Sequence, residues 1–152
     1  MRLSRYLLAV SVLLAIGTGC ASTKQVIPLP EQRTSVTDSG KARIYVFRRT
    51  GFAGAGMPST VLDRGTKIGS MGCKGYLCWD RDPASTLISI IWPGSNPIEL
   101  HLNCEAGHTY YLKHGVVGFI AASTLTVMTE AEGSRLLARS KPPRLIVPNE
   151  VE

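Results

Sequence analysis

Little in the sequence could hold the chain in a bilayer as a spanning helix. The N-terminal apolar run, residues 7–16, has about ten residues, whereas a helix needs about 20 to cross the hydrocarbon core. A retained transmembrane helix is therefore not expected here.

The two common phosphate-binding fingerprints are also missing. The most glycine-rich stretch, residues 49–58 (RTGFAGAGMP), contains neither G-x-x-x-x-G-K-[ST] nor G-x-G-x-x-G. The sequence thus predicts no nucleotide-binding loop of either kind, and no cofactor is expected.

Histidine is scarce, and the histidines do not converge with a cysteine. His101, Cys104 and His108 lie close in sequence and are residue types that bind zinc. Alternation along a strand, however, turns Cys104 inward with Leu102 and turns His101 to the opposite side. No metal site is predicted.

Catalytic side chains are not placed as a hydrolase would need them. A reactive Cys73 or Cys78 would require a nearby base, often at a helix N-terminus, but both fall in a predicted hairpin. Asp63, Asp80 and Asp82 stand at strand ends or turns, where aspartate makes local hydrogen bonds. The chain is therefore not expected to be an enzyme.

What the sequence does have is a targeting signal. Residues 1–19 combine Arg2 and Arg5, a short apolar run and small residues that lead directly to Cys20. This order is typical of a secretory signal peptide that ends before Cys20.

The residues Gly17-Thr18-Gly19-Cys20 resemble the lipobox of bacterial lipoproteins, although Gly17 replaces the usual leucine. The resemblance implies that Cys20 carries fatty-acyl chains such as palmitate and becomes the mature N-terminus. Two or more chains would anchor the protein stably, whereas one would not. Ala21, in place of an aspartate, implies the periplasmic face of the outer membrane.

The charge is moderately basic. The full chain carries +6, and loss of Arg2 and Arg5 leaves 15 basic against 11 acidic residues, or +4. Nucleic acid is an unexpected partner for an exported protein with scattered basic residues. The basic side chains favour either anionic lipid headgroups or an acidic partner, or they form an ordinary solvated surface. They are Arg48, Arg49, Lys67, Lys74, Arg135, Arg139, Lys141 and Arg144.

Behind the signal, the composition divides the chain into three parts. Residues 20–39 are polar and broken by Pro28 and Pro30, which predicts a lipidated cysteine followed by a flexible tether. Residues 40–140 form the domain, and residues 141–152 are predicted to be a tail.

The domain is predicted to be mainly β. Short runs rich in β-branched and aromatic residues are separated by turn residues every 8 to 12 positions. This spacing favours an antiparallel β-sandwich of about seven to eight short strands. Thr129 and Glu132 form a capping box, which predicts one C-terminal helix over residues 130–138.

The order of several short motifs resembles a family of uncharacterised proteobacterial lipoproteins whose domain has no known function. These motifs are residues 42–48 (ARIYVFR), 61–63 (VLD) with 67–69 (KIG), 93–94 (PG) and 106–112 (AGHTYYL). The resemblance implies a small extracytoplasmic sandwich of the transthyretin or carboxypeptidase-regulatory type and supplies no catalytic residues.

Three cysteines remain if Cys20 carries lipid, so at most one disulfide forms within the chain. Cys73 and Cys78 flank a predicted four-residue hairpin loop and are the first candidates. A bond from Cys104 to either of them is the alternative, although Cys104 suits a buried free thiol.

Two functions follow as expectations. The first is a lipid-anchored interaction or accessory module for an unidentified envelope protein. The second is a protein that binds a glycan or lipid through a contact loop with Phe52 and Met57, helped by aromatic residues such as Trp92.

Overall fold

The computed structural model describes residues 21–31, 40–50, 56–117 and 122–146. The predicted signal peptide, Cys20, residues 32–39 and Phe52 lie outside these ranges. The described residues form ten strands and one helix: β1 (Lys24–Gln25), β2 (Ala42–Thr50), β3 (Ser59–Asp63), β4 (Thr66–Met71), β5 (Tyr76–Arg81), β6 (Ser85–Ile91), β7 (Ile98–Asn103), β8 (Thr109–Val117), β9 (Ala122–Met128), α1 (Glu130–Leu137) and β10 (Arg144–Leu145). No helix in these ranges is long and apolar enough to cross a membrane.

The strands form two sheets, which confirms the mainly β, sandwich-like prediction with one helix near the C-terminus. Sheet A has the order β10-β1-β4-β3-β6-β7, and sheet B has the order β5-β2-β8-β9. The predicted purely antiparallel arrangement and the predicted count of seven to eight strands are wrong. The ten strands of the described residues form mixed sheets, because β2 pairs with β8 and β1 pairs with β10 in parallel. Parallel neighbours need a crossover, and β3 to β7 provide it between β2 and β8.

The main core fills the space between the sheets. From sheet B, Ala42, Ile44 and Val46 face inward, as the alternation of β2 predicted. Sheet A contributes Ile88 and Leu102 among others. Close packing of such side chains removes them from water, and burying one stabilises the fold by about 1.5–3 kcal/mol.

A second core covers the outer face of sheet B. Tyr45 and Tyr111 stack with their ring centroids 5.3 Å apart, and three more buried side chains join them. Leu29 from the N-terminal segment and Leu136 from α1 pack over this cluster. Both faces of β2 are therefore buried, which explains why its sequence is apolar on both sides. The three further members of the cluster are Phe47, Tyr76 and Cys78.

The helix follows β9 directly and lies across sheet B. Thr129 is the N-cap, and its capping box with Glu132 is formed as predicted. Gly133 is the point of closest approach, because a Cβ there would lie 2.1 Å from Cγ of Tyr111. Only a residue without a side chain lets the helix lie this near to the aromatic ring.

The folded body extends beyond the predicted domain at both ends. Lys24 and Gln25 pair with β4, and Arg144 and Leu145 pair with β1. The expectation of a flexible tether is therefore wrong for residues 21–31, and that of a tail is wrong for residues 144–146. Two-residue strands have no side-chain periodicity, so backbone pairing holds them without a sequence signal.

The predicted hairpin, with its four-residue loop between Cys73 and Cys78, is also wrong. β4 pairs with β3 in sheet A, whereas β5 pairs with β2 in sheet B. The turn between them, in which Lys74 has a positive φ of 59°, carries the chain from one sheet to the other.

Candidate functional site

The three cysteines of the domain lie in different parts of the fold. Cys78 and Cys104 are free thiols, so neither the predicted Cys73–Cys78 disulfide nor the alternative bond from Cys104 to either of them is formed. Because Cys73 lies in the turn between the sheets and Cys78 lies inside β5, no hairpin brings them opposite each other. Cys104 is a buried thiol, as its strand position predicted.

Burial also makes two of these thiols poor nucleophiles. It raises the pKa of Cys78 to about 12, and it raises the pKa of Cys104. Since the thiolate is the reactive form, both side chains are suited to packing rather than to chemistry.

The aspartates have structural partners. Asp63 accepts hydrogen bonds from Trp79 Nε1 at 2.8 Å and from Arg81 Nη1 at 2.5 Å. Asp80 receives two parallel hydrogen bonds, 2.7 and 2.9 Å long, from the buried guanidinium of Arg43. The hydrogen bonds to Asp80 are the largest cause of the raised pKa of Arg43.

The histidines do not assemble a metal centre in the part of the chain that the structure describes. His101 is exposed and Cys104 is buried, as alternation predicted. No group of three or more histidine, cysteine, aspartate or glutamate side chains lies together within the described ranges.

Of the predicted contact loop, Met57 can be placed. Its side chain is 43% exposed, and its carbonyl oxygen accepts a hydrogen bond from the buried guanidinium of Arg48. Phe52 lies outside the described residues, so the loop as a contact surface stays a prediction.

A basic cleft between α1 and the outer face of sheet B is the best candidate for a functional site. It has a volume of about 330 Å³. Its lining carries four basic side chains and one acidic one, a net charge of +3, around an apolar floor. The lining residues are Arg49, Lys113, Thr126, Val127, Met128, Glu132, Arg135, Leu136 and Arg139.

The helix wall of the basic cleft follows from helical periodicity. Glu132, Arg135 and Leu136 are spaced i, i+3 and i+4, which puts them on one face, and Arg139 follows in the turn after the helix. Leu136 from this face packs on the second core, so the neighbouring charged side chains stand beside the sheet.

The sheet wall comes from three neighbouring strands. Lys113 of β8 pairs with Phe47 on one side and with Thr126 on the other. Met128, opposite Tyr111, lies on the same outer face and packs against the second core. The cleft therefore offers the apolar side chains of Met128 and Leu136 next to positive charge.

The electrostatics of the cleft are visible at Glu132. Hydrogen bonds from the backbone and side chain of Thr129 lower its pKa, and the charges of Lys113 and Arg135 lower it further. Glu132 is already hydrogen-bonded as part of the capping box, with its Oε2 at 3.1 Å from Thr129 N. The basic side chains thus remain available to an anionic group from outside.

Sequence reasoning recognised Arg135 and Arg139 as basic positions but did not join them to Lys113. The helical spacing of residues 132–136 could have indicated one wall. The other wall depends on sheet order, which short-range patterns do not encode.

Comparison with known proteins adds no relationship. No family model matches the chain, and no curated protein matches it with significant similarity. The resemblance to uncharacterised lipoproteins therefore stays a prediction from short motifs.

Proposed function

We propose that the chain is a lipoprotein of the bacterial outer membrane, anchored through Cys20 on the periplasmic face. Its sandwich acts as a non-enzymatic interaction module that holds an anionic group of a partner protein in the basic cleft. The order of Arg2, Arg5, the apolar run and Cys20 supports the anchor.

The convergence of three elements on the basic cleft carries the proposed interaction. Arg49, Lys113 and Arg135 come from two strands and a helix, and they line one hollow beside Met128 and Leu136. Interfaces commonly pair an apolar centre with arginine side chains, which bind carboxylates with two hydrogen bonds. An acidic segment of an envelope protein fits this combination.

A glycan- or lipid-binding protein is the second candidate. Trp92 and Tyr111 are buried, so their rings are occupied by packing rather than free to stack on sugars. A lipid with an anionic headgroup suits the cleft better, because the apolar side chains of Met128 and Leu136 lie beside the cations.

A photo-crosslinking amino acid at Thr126, which is exposed and lies opposite Lys113, is introduced into the full chain in living cells and tests the cleft. We expect a protein adduct that disappears when Lys113→Glu and Arg135→Glu reverse the cleft charge. The matched control, Lys41→Glu with Arg64→Glu, makes the same charge change away from the cleft and should keep the adduct. A lipid or glycan adduct would favour the second candidate, and an adduct that survives reversal of the cleft charge would contradict both.

The anchor is tested separately with a fatty-acid analogue. Cys20→Ser should abolish labelling and release the protein from membranes, whereas Cys73→Ser should change neither. Undiminished label in Cys20→Ser would refute the lipoprotein proposal.

A further inference from the structure

The chain is held against the folded body from its first described residue. The carbonyl oxygen of Ala21 lies 1.6 Å from where a Cβ on Gly72 would be, so only glycine permits this contact. The N–H of Gly72 donates to Thr23 Oγ1 at 3.0 Å, and the N–H of Arg144 donates to the Thr23 carbonyl at 3.0 Å. Because Cys20 is bonded directly to Ala21, and consecutive Cα atoms are about 3.8 Å apart, only one peptide bond separates Cys20 from a residue packed on the fold.

Basic side chains surround the position of Ala21. Two hollows, of about 410 and 470 Å³, share Ala21 and Ser22 in their linings. Six exposed basic side chains in the two linings form what we call the basic collar: Lys24, Lys67, Lys74, Arg139, Lys141 and Arg144.

The basic collar has no opposite charge of its own in the described part of the chain. Neither lining contains an aspartate or glutamate there. The ion pairs between described residues involve Lys41, Arg43, Arg81 and His108, and none involves a member of the collar.

We infer that the basic collar seats the domain on the anionic phospholipid headgroups of the membrane that holds the anchor. This inference rests on the proposed lipidation of Cys20. A cysteine one residue from Ala21 places the collar at headgroup height, because no slack chain separates the lipid from the fold. Lysine and arginine side chains near an anionic surface are attracted to it over about a Debye length.

The lysines of the chain provide a direct test of this orientation. Four described lysines belong to the collar, whereas Lys41 lies immediately before β2, at the end of the β2–β5 pair away from the turn at residues 72–75 that contacts Ala21. The processed full-chain protein is inserted into vesicles of phosphatidylcholine, with or without an equal part of phosphatidylglycerol. A water-soluble acylating reagent then modifies exposed amines, and peptide mass spectrometry measures the rate at each lysine.

We expect the collar lysines to react about fivefold more slowly on anionic than on neutral vesicles. Lys41 should react equally on both, and about 1 M salt should remove the difference because it shortens the Debye length to about 3 Å. Replacing Lys74 and Lys141 by glutamine should expose Lys24 on anionic vesicles. The matched control, with Lys41 and Arg64 replaced by glutamine, should leave Lys24 protected.

The possible failures are distinguishable by flotation of the vesicles. Protein that floats with neither kind of vesicle would show that the anchor itself is missing. Protein that floats with both, but whose collar lysines react at equal rates, would leave the anchor intact and overturn the inference.

Discussion

The side-chain amide of Gln25 forms the pair of hydrogen bonds that a neighbouring strand's peptide groups would form. Its Nε2 donates to the Cys78 carbonyl at 2.7 Å, and its Oε1 accepts from the Cys78 N–H at 3.0 Å. Since β5 is an edge strand of sheet B, these two backbone groups would otherwise lack a partner strand. One buried amide therefore closes the edge of the sheet and holds the N-terminal segment in place.

Replacing Gln25 by leucine should lower the free energy of unfolding by about 3 kcal/mol, because two buried backbone groups lose their partners. Urea denaturation measures the change. Lys24→Leu, on the exposed neighbouring position, is the control and should change stability by less than about 0.5 kcal/mol. Equal effects of the two substitutions would show that the amide does not complete the edge.

His114 predicts a pH dependence of stability. Burial, with the charge of Arg48, lowers its pKa from 6.5 to about 4, and Ser123 Oγ lies 2.7 Å from its Nε2. Between these pH values the unfolded chain binds a proton that the folded chain does not, so stability falls as the pH is lowered through this window. At about pH 5 the loss relative to neutral pH should be about 2 kcal/mol.

His114→Gln removes this titration and should flatten the dependence in urea denaturation at the two pH values. Removal of the exposed imidazole in His101→Gln is the control and should keep the slope. A His114→Gln protein with the full slope would assign the pH dependence to another group.

At the scale of elements, the helix depends on one small residue. Gly133→Ala improves intrinsic helix propensity by about 1 kcal/mol, but the added methyl collides with the ring of Tyr111. Overpacking costs about 1–3 kcal/mol and should more than offset that gain, so the variant should be less stable by about 1 kcal/mol. Ser134→Ala, at the adjacent exposed position, should be neutral or stabilising. A Gly133→Ala protein more stable than wild type in thermal unfolding would show that α1 is not pressed against sheet B.

Local sequence patterns predicted the strands whose side chains alternate between two faces and the helix that begins with a capping box. The inward face of β2, the alternation of β7 and the Thr129 capping box could be read because each is a short-range chemical signal. The elements β1 and β10 and the change of sheet after Met71 escaped prediction, since they depend on pairing between distant segments. The basic cleft and the basic collar escaped for the same reason.

At the scale of the whole molecule, the basic cleft and the basic collar adjoin each other. Arg139 lines the basic cleft and also one hollow of the basic collar. A domain seated by the collar would therefore hold the cleft close to the membrane, where an acidic segment of another anchored protein could reach it. The arrangement joins the proposed anchor and the proposed interaction in one orientation.

Mass spectrometry of the N-terminal peptide, from protein purified out of bacterial membranes, tests the central claim most directly. The account predicts a peptide that begins at Cys20, continues with Ala21 and carries the added mass of two or more fatty-acyl chains. A peptide that extends through Gly19, or one that begins at an unmodified Cys20, would contradict it.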